Sequence, residues 1–189
     1  MSSLTLTTSN ANLLNSLAKG CKSLKKFTMK GLKSLNISTT ASGQGLFGDG
    51  TSHSFRDCGS QGIEEYVIED LEYVYGNSAS SSPSFGILSY YDNALAYATL
   101  RFPQLKEIRT NQNATCTTSF IMSGTGWGRC KEIYMPSCTF VGKWAFNGVR
   151  AATVHFSTAN RSAIEACAGY SSNFQRTGGD GTMTIVFDL

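Results

Sequence analysis

Histidine and cysteine have the most direct chemistry in this chain, because an imidazole or a thiolate can act as a nucleophile, a base or a metal ligand. The 189-residue sequence contains two histidines, His53 and His155. Its six cysteines are Cys21, Cys58, Cys116, Cys130, Cys138 and Cys167. No CxxC pair and no Cys/His cluster with zinc spacing occurs in the sequence. Neither histidine has a Ser/His/Asp or Cys/His spacing, so we predict no catalytic residue, no metal and no cofactor.

Acidic residues and glycine-rich loops supply the other candidates for chemistry. Asp49 and Asp57 lie in the polar segment 38–62, but the spacing of a calcium loop is absent, and turn formation explains them better. The glycines of 124–128 lack the GK[ST] of a phosphate loop. A carbohydrate-active enzyme, kept as an alternative, would need two acids that converge in a cleft. The acids available to it are Glu65, Glu69 and Glu132.

A repeated spacing of apolar residues is the feature that must position any site. Each copy begins at an apolar residue and has further apolar residues at offsets 3, 5, 8 and 11. The copies are Leu24, Phe27, Met29, Leu32, Leu35; Ile63, Tyr66, Ile68, Leu71, Val74; Tyr97, Leu100, Phe102, Leu105, Ile108; Cys130, Ile133, Met135, Cys138, Val141; and, in part, Ala151, Val154, Phe156, Ala159. Offsets 3 and 5 alternate as inward side chains of a strand do, whereas offsets 8 and 11 suit a turn or a loose helical return. Stacking such units buries one continuous core.

The fourth copy carries a family resemblance. The run Ile133-x-Met135-Pro136, followed by VGKWAF at 141–146, resembles the BspA-type leucine-rich repeat. The segment 154–174 resembles the closing unit of that family. The resemblance covers about 130–170, and only strand halves match in the three earlier copies. It implies a curved solenoid used for adhesion and binding, and it implies no catalytic residues.

We therefore predict an α/β repeat fold, a short leucine-rich-repeat solenoid with a β-strand and an irregular or short helical return in each repeat. The predicted parts of the single domain 1–189 are an N-terminal cap at 1–20, repeats at 21–159 and a C-terminal cap at 160–189. An amphipathic helix over 10–19 is expected to cover the first repeat; a membrane-binding helix is the alternative, although the apolar face is small. The C-terminal cap is expected to hold a helix from Ser157 or Thr158 through about Tyr170, and then a strand over 182–189. That strand would close the sheet edge or add to a neighbouring chain.

The predicted outward face of the strands holds the candidate binding residues. If offsets 3 and 5 point inward, Lys26 faces Glu65 and Lys30 faces Glu69, and these pairs help to fix the register. The lysine-rich stretch 19–33 is then neutralised within the chain, which disfavours a polyanion-binding patch. The candidate recognition patch on this face consists of Arg101, Tyr134, His155 and Glu132, and an ordinary solvated sheet face is the alternative. We expect Trp127 and Trp144 to be buried at turns rather than to stack on sugars.

Composition narrows the function. Charged residues make up 15% of the chain and the net charge is +3, which does not indicate nucleic-acid binding. No apolar run approaches 18 residues, so no membrane partner is predicted. The N-terminus lacks a basic start and an apolar segment, so we expect no signal peptide, and we expect cysteines that are reduced or inert.

These features predict a non-enzymatic binding or structural protein. The expected location is the virion, as a phage tail or head fibre component that mediates attachment or assembly. Expected partners are proteins or a bacterial surface glycan, with possible homo-oligomers or a larger virion assembly. The alternative is a bacterial cell-surface or secreted leucine-rich-repeat adhesin.

Overall fold

Seven strands form the larger of two parallel sheets in this computed structural model. The structure describes residues 3–8, 18, 20–37, 44–45, 48–49, 63–76, 99–109, 131–146, 149, 152–175 and 183–189. In spatial order the larger sheet consists of β1 (Ser3–Thr7), β2 (Lys26–Lys30), β6 (Glu65–Ile68), β8 (Thr99–Arg101), β10 (Glu132–Met135), β12 (Thr153–Phe156) and β13 (Thr184–Phe187). All six neighbouring pairs are parallel.

Glycine and proline residues end three of the short strands in the larger sheet. Gly31 follows β2 with a φ of 84°, a left-handed conformation that glycine adopts without strain. Pro103 and Pro136 come shortly after β8 and β10, and a proline has no N–H to continue the ladder. The chain then turns below the sheet.

The smaller parallel sheet has four strands, and each of them lies in a segment that returns from a strand of the larger sheet. Its spatial order is β11 (Phe140–Val141), β9 (Glu107–Arg109), β7 (Tyr73–Gly76) and β3 (Ser34–Ile37). A separate antiparallel pair joins β4 (Gln44–Gly45) to β5 (Gly48–Asp49). Each return from β2, β6, β8 and β10 therefore contributes a second strand, and the two sheets enclose the core.

The core consists of residues that occupy the same register in successive strands. In the larger sheet one inward row joins Leu4, Phe27, Tyr66, Leu100, Ile133, Val154 and Ile185. In the smaller sheet the corresponding row joins Leu35, Val74, Ile108 and Val141. The repeat positions of the first four copies that fall in the described residues are all buried, as predicted. Ala159 of the fifth copy is exposed instead, because the chain there enters a 3-10 turn at Thr158–Asn160.

The predicted α/β leucine-rich-repeat solenoid is wrong as a fold class. The returns were expected to be irregular or helical, and they form the second sheet; the only α-helix among the described residues is α1 (Arg161–Glu165). A spacing of three between offsets 8 and 11 fits a helical turn, but it also fits a tight turn followed by a strand. Segments this short cannot be separated by periodicity. The β-branched and aromatic run Tyr73-Val74-Tyr75 favours the strand.

The N-terminal cap can be compared with its prediction only in part, and the prediction for the C-terminal cap needs correction. The helix predicted over 10–19 lies outside the described residues apart from Ala18, which is buried in the core. Strand β1, which precedes it, was not predicted. At the other end, α1 is much shorter than predicted, and a 3-10 turn follows at Tyr170–Ser172. Ile164 and Cys167 of this segment are buried, whereas Ala163 is exposed. The predicted C-terminal strand is confirmed as β13, which pairs with β12.

Candidate functional site

Parallel register brings the four candidate binding residues together on the outward face of the larger sheet. Tyr134 of β10 is the register partner of Arg101 on β8 and of His155 on β12. Glu132 lies two residues before Tyr134 on the same face of β10. The outward column predicted from the repeat is therefore present, although its role in binding stays a prediction.

Tyr134 lies between a cation and an imidazole. The Arg101 Cζ atom is 4.2 Å from the centroid of the Tyr134 ring. The His155 ring lies parallel to the Tyr134 ring, with 4.3 Å between the centroids and 6° between the planes. Because β8 and β12 flank β10 on opposite sides, these two groups occupy opposite faces of the phenol ring. Neither face of the ring is therefore open for stacking on a sugar.

Two carboxylates hold the ring of His155. The His155 Nε2 atom is 2.7 Å from Glu132 Oε2, and Nδ1 is 2.9 Å from Asp188 Oδ1. Both contacts can be hydrogen bonds at once only when the imidazole is protonated on both nitrogens. Burial lowers the pKa of His155, but the hydrogen bonds and charges of Glu132 and Asp188 outweigh it, so the pKa lies above its ordinary value of 6.5.

Glu65 of β6 contacts Arg101 from outside the column, because Val67 is the register partner of Arg101. Its carboxylate forms an ion pair with Lys26 and accepts a hydrogen bond of 2.7 Å from Arg101 Nε. The hydrogen bond from Lys26 lowers the pKa of Glu65 most strongly, burial opposes it, and Arg101 lowers it further. We call the connected set the outward ridge; its members are Glu65, Arg101, Glu132, Tyr134, His155 and Asp188.

The ridge continues into a ladder of ion pairs between neighbouring chain segments. Residues 21–37 contain lysines but no acid, whereas residues 63–76 contain acids but no base. Their pairs include Lys25–Glu64 at 2.8 Å, Lys30–Glu69 at 3.0 Å and Lys33–Glu72 at 3.4 Å. The predicted facing of Lys26 with Glu65 and of Lys30 with Glu69 is confirmed.

Asp70 ties the ladder to the backbone. It accepts a hydrogen bond of 2.7 Å from the Gly31 N–H, and this bond is the main reason why the pKa of Asp70 is lowered. Glu72 also has a lowered pKa, mainly because Lys106 and then Lys33 donate to it. The lysines of 21–37 are therefore matched to a neighbouring acidic segment.

The smaller sheet presents an aromatic face that the sequence analysis did not identify. Tyr73 and Tyr75 lie with near-parallel rings 6.2 Å apart, and Tyr75 is 40% exposed. Arg109 lies 4.9 Å above the Phe140 ring, and Lys106 lies 5.6 Å from Tyr73. The sequence signal for this face is the alternation of outward and inward residues along β7. It could be used only after the returns had been assigned as strands.

The remaining sequence candidates are the cysteines, the tryptophans and a few polar residues. Cys21, Cys138 and Cys167 are free thiols, and Cys138 is fully buried, which raises its pKa to about 12. Trp144 is half-buried rather than buried, and its φ of 64° is unusual for a bulky residue. The other sequence candidates lie outside the described residues, or their side chains do: Cys58, Cys116, Cys130, His53, Asp49, Asp57 and Trp127.

Within the described ranges, no cluster of three or more His, Cys, Asp or Glu residues could hold a metal ion. The same residues include no helix long and apolar enough to span a membrane. No protein-family model, no curated protein and no solved structure matches this chain.

Proposed function

We propose that this chain is a non-enzymatic binding or structural protein and that the outward ridge is its recognition surface. The supporting observation is the packing of the ridge across five neighbouring strands from β6 to β13. Its side chains are held by one another before any partner arrives. Less side-chain freedom is then lost on binding, which favours affinity.

The chemistry of the ridge suits a polar partner. Both faces of Tyr134 are covered, and the residue as a whole is half-buried. Arg101 is 42% exposed, and its Nε is already engaged by Glu65. Tyrosine and arginine are favoured anchors at protein interfaces. We infer a partner that offers hydrogen-bonding groups, either a protein surface or the hydroxyl groups of a bacterial surface glycan.

The first experiment measures binding to an array of bacterial surface polysaccharides. If the ridge recognises a glycan, Arg101→Ala and Tyr134→Ala should lose at least about fivefold in affinity, as interface anchors do. The matched control is Tyr75→Ala, which removes an exposed ring from the smaller sheet. Equal losses in all three variants, or unchanged binding in the ridge variants, would contradict recognition by the ridge.

The location is proposed to be the virion, with attachment or assembly as the role. Low charge and abundant glycine, with 19 glycines in the chain, support a structural protein of this kind. Mass spectrometry of gradient-purified particles from the source culture tests the proposal. Co-purification in constant proportion to known particle proteins would support it. Labelling of the chain on intact bacteria without particles would favour the adhesin alternative instead.

A further inference from the structure

The two outermost strands of the larger sheet carry no charged residue. The sequence of β1 is SLTLT and that of β13 is TIVF. The strands between them carry Lys26, Lys30, Glu65, Arg101, Glu132 and His155. Proteins usually protect sheet edges with charges, prolines or bulges, which discourage a further strand from pairing. Here the interior strands have the charges and both edges lack them.

Each edge also leaves part of the core incompletely covered. Leu4 and Leu6 of β1, and Ile185 and Phe187 of β13, pack against the core but are only partly buried. In the part of the chain that the structure describes, neither β1 nor β13 pairs with a strand on its outer side. A further strand at either edge would remove this apolar surface from water.

The two edges match each other in direction and register. All strands of the sheet are parallel, and the inward row begins at Leu4 and ends at Ile185. Continuing the sheet without a register shift places Ile185 of one copy beside Leu4 of another. Phe187 then lies beside Leu6, and on the outward face Val186 lies beside Thr5.

The backbone pattern agrees with this register. The Thr184 N–H donates to Ala152 O at 2.9 Å, so alternate residues of β13, beginning with Ile185, direct their amides to the outer edge. The Thr8 N–H donates to Lys30 O at 2.9 Å, so in β1 it is Thr5 and Thr7 that face outward from the sheet edge. In a parallel pair with Ile185 opposite Leu4, these are the groups that would bond to each other.

The continued edge brings no like charges together. In the continued sheet, Asp188 falls in the outward column that contains Thr7 and, one strand further, Lys30. Asp188 already contacts His155, and Lys30 already contacts Glu69, so the contact rests on the uncharged strands rather than on a new ion pair.

We propose that copies of this chain associate head to tail, with β13 of one copy adding to β1 of the next as a further parallel strand. This rests on the structural part of the proposed function and names its partner as a second copy. The contact joins two different surfaces, so it can repeat and build a linear assembly. It does not require the ridge to bind a ligand.

The test uses two double variants that differ only in the sign of the charge at position 186. Thr5 is exposed and Val186 is half-buried, and both side chains are outward. Within one copy they lie at opposite edges, six strand spacings or about 29 Å apart, whereas across the proposed contact they are neighbours at about 5 Å. In Thr5→Lys/Val186→Lys like charges meet at the contact, and in Thr5→Lys/Val186→Glu opposite charges meet.

Sedimentation velocity over a wide concentration range reads the outcome. The wild-type mass should rise with concentration, and the Lys/Glu variant should associate at least about fivefold more strongly than the Lys/Lys variant. A monomeric wild type, or equal association of the two variants, would overturn the proposal. Pairing between two β13 edges would instead weaken both variants alike. Equal melting temperatures show that both variants fold, and the glycan assay on the wild type tests the ridge separately.

Discussion

The imidazole of His155 lies parallel to the phenol of Tyr134, with ring centroids 4.3 Å apart. The two residues are 21 positions apart in sequence and occupy one register position in β10 and β12. Arg101 takes the same position in β8 and covers the other face of the ring. The stack exists only if three strands stand side by side in this register, so its energetics report on both the fold and the site.

Removal of the central ring should destabilise the protein. We expect Tyr134→Ala to lower the free energy of unfolding by about 1–2 kcal/mol, because a stacked pair and a cation–π contact are lost. Tyr134→Phe keeps the ring and should cost less than about 0.5 kcal/mol. Urea denaturation monitored by circular dichroism measures both. Equal costs for the two variants would show that the ring is not stacked.

Stability should depend on the protonation of His155. Because its folded pKa is raised, the stabilisation is complete below the unfolded value of 6.5 and is lost as the pH rises through the folded pKa. Wild type should therefore lose stability between slightly acidic and slightly alkaline pH, relative to His155→Gln. The lowered pKa values of Glu65, Asp70 and Glu72 act at more acidic pH, where stability is lost as the pH falls.

Urea titrations of both proteins at a series of pH values make this measurement. The difference between wild type and His155→Gln is the relevant quantity, because His53 is common to both. A difference that stays constant, or grows with pH, would contradict the arrangement of Glu132 and Asp188 around the ring.

Two glycines with the same backbone conformation should respond differently to alanine. Gly20 and Gly31 have φ values of 77° and 84°, so both substitutions are strained. A Cβ at Gly31 would lie 2.9 Å from Thr8 O, whereas a Cβ at Gly20 meets nothing within 4 Å. We expect Gly20→Ala to cost about 1 kcal/mol and Gly31→Ala clearly more, because β1 must shift. Similar losses would show that β1 does not dock beside Gly31.

The thiol of Cys138 should be inert in the native state. It is fully buried, and burial raises its pKa to about 12, so almost no thiolate is available to react. Iodoacetamide labelling followed by peptide mass spectrometry should find Cys138 unmodified until denaturant is added. Cys21 is partly exposed and serves as the internal comparison. Rapid native labelling of Cys138 would contradict its position in the core.

Charge reversal should be more costly at Glu65 than at its neighbour Glu64. Glu65 pairs with Lys26 on one side and Arg101 on the other, whereas the Glu64–Lys25 pair is widely exposed. Glu65→Lys would place three cations in one patch, with an added cost of the order of 1 kcal/mol over Glu64→Lys. Chemical denaturation of the two variants measures the difference. An equal cost would show that the ion pairs of Glu65 do not help to fix the register of β2 and β6.

The inward rows of the larger sheet could be predicted from the sequence because their signal is strong. Alternation at offsets 3 and 5 recurs in every copy, and a strand with one buried face is the simple structure that satisfies it. The returns gave a weaker signal, in which two apolar residues three apart fit either a helical turn or a turn followed by a strand. The second sheet, and the tyrosines that it exposes, were therefore missed.

The ridge was predicted in part for the same reason. Arg101, Tyr134 and His155 follow from the outward column once the strands are aligned, and Glu132 lies beside them. Asp188 was missed because the C-terminal strand was treated as a cap and was not aligned with the repeat. Aligned on Ile185, it would have placed Asp188 at the end of the outward face. The bond between Glu65 and Arg101 is diagonal, and side-chain length rather than spacing creates it.

The order of the strands is the central claim, and distances between paired spin labels test it most directly. Labels at Lys26 and Thr153 stand four strand spacings apart, about 19 Å, and labels at Lys26 and Thr184 stand five apart, about 24 Å. Double electron–electron resonance should give distances that differ by about one strand spacing, after allowance for the label tethers. Equal distances, or a shorter distance to Thr184 than to Thr153, would contradict the order of the sheet.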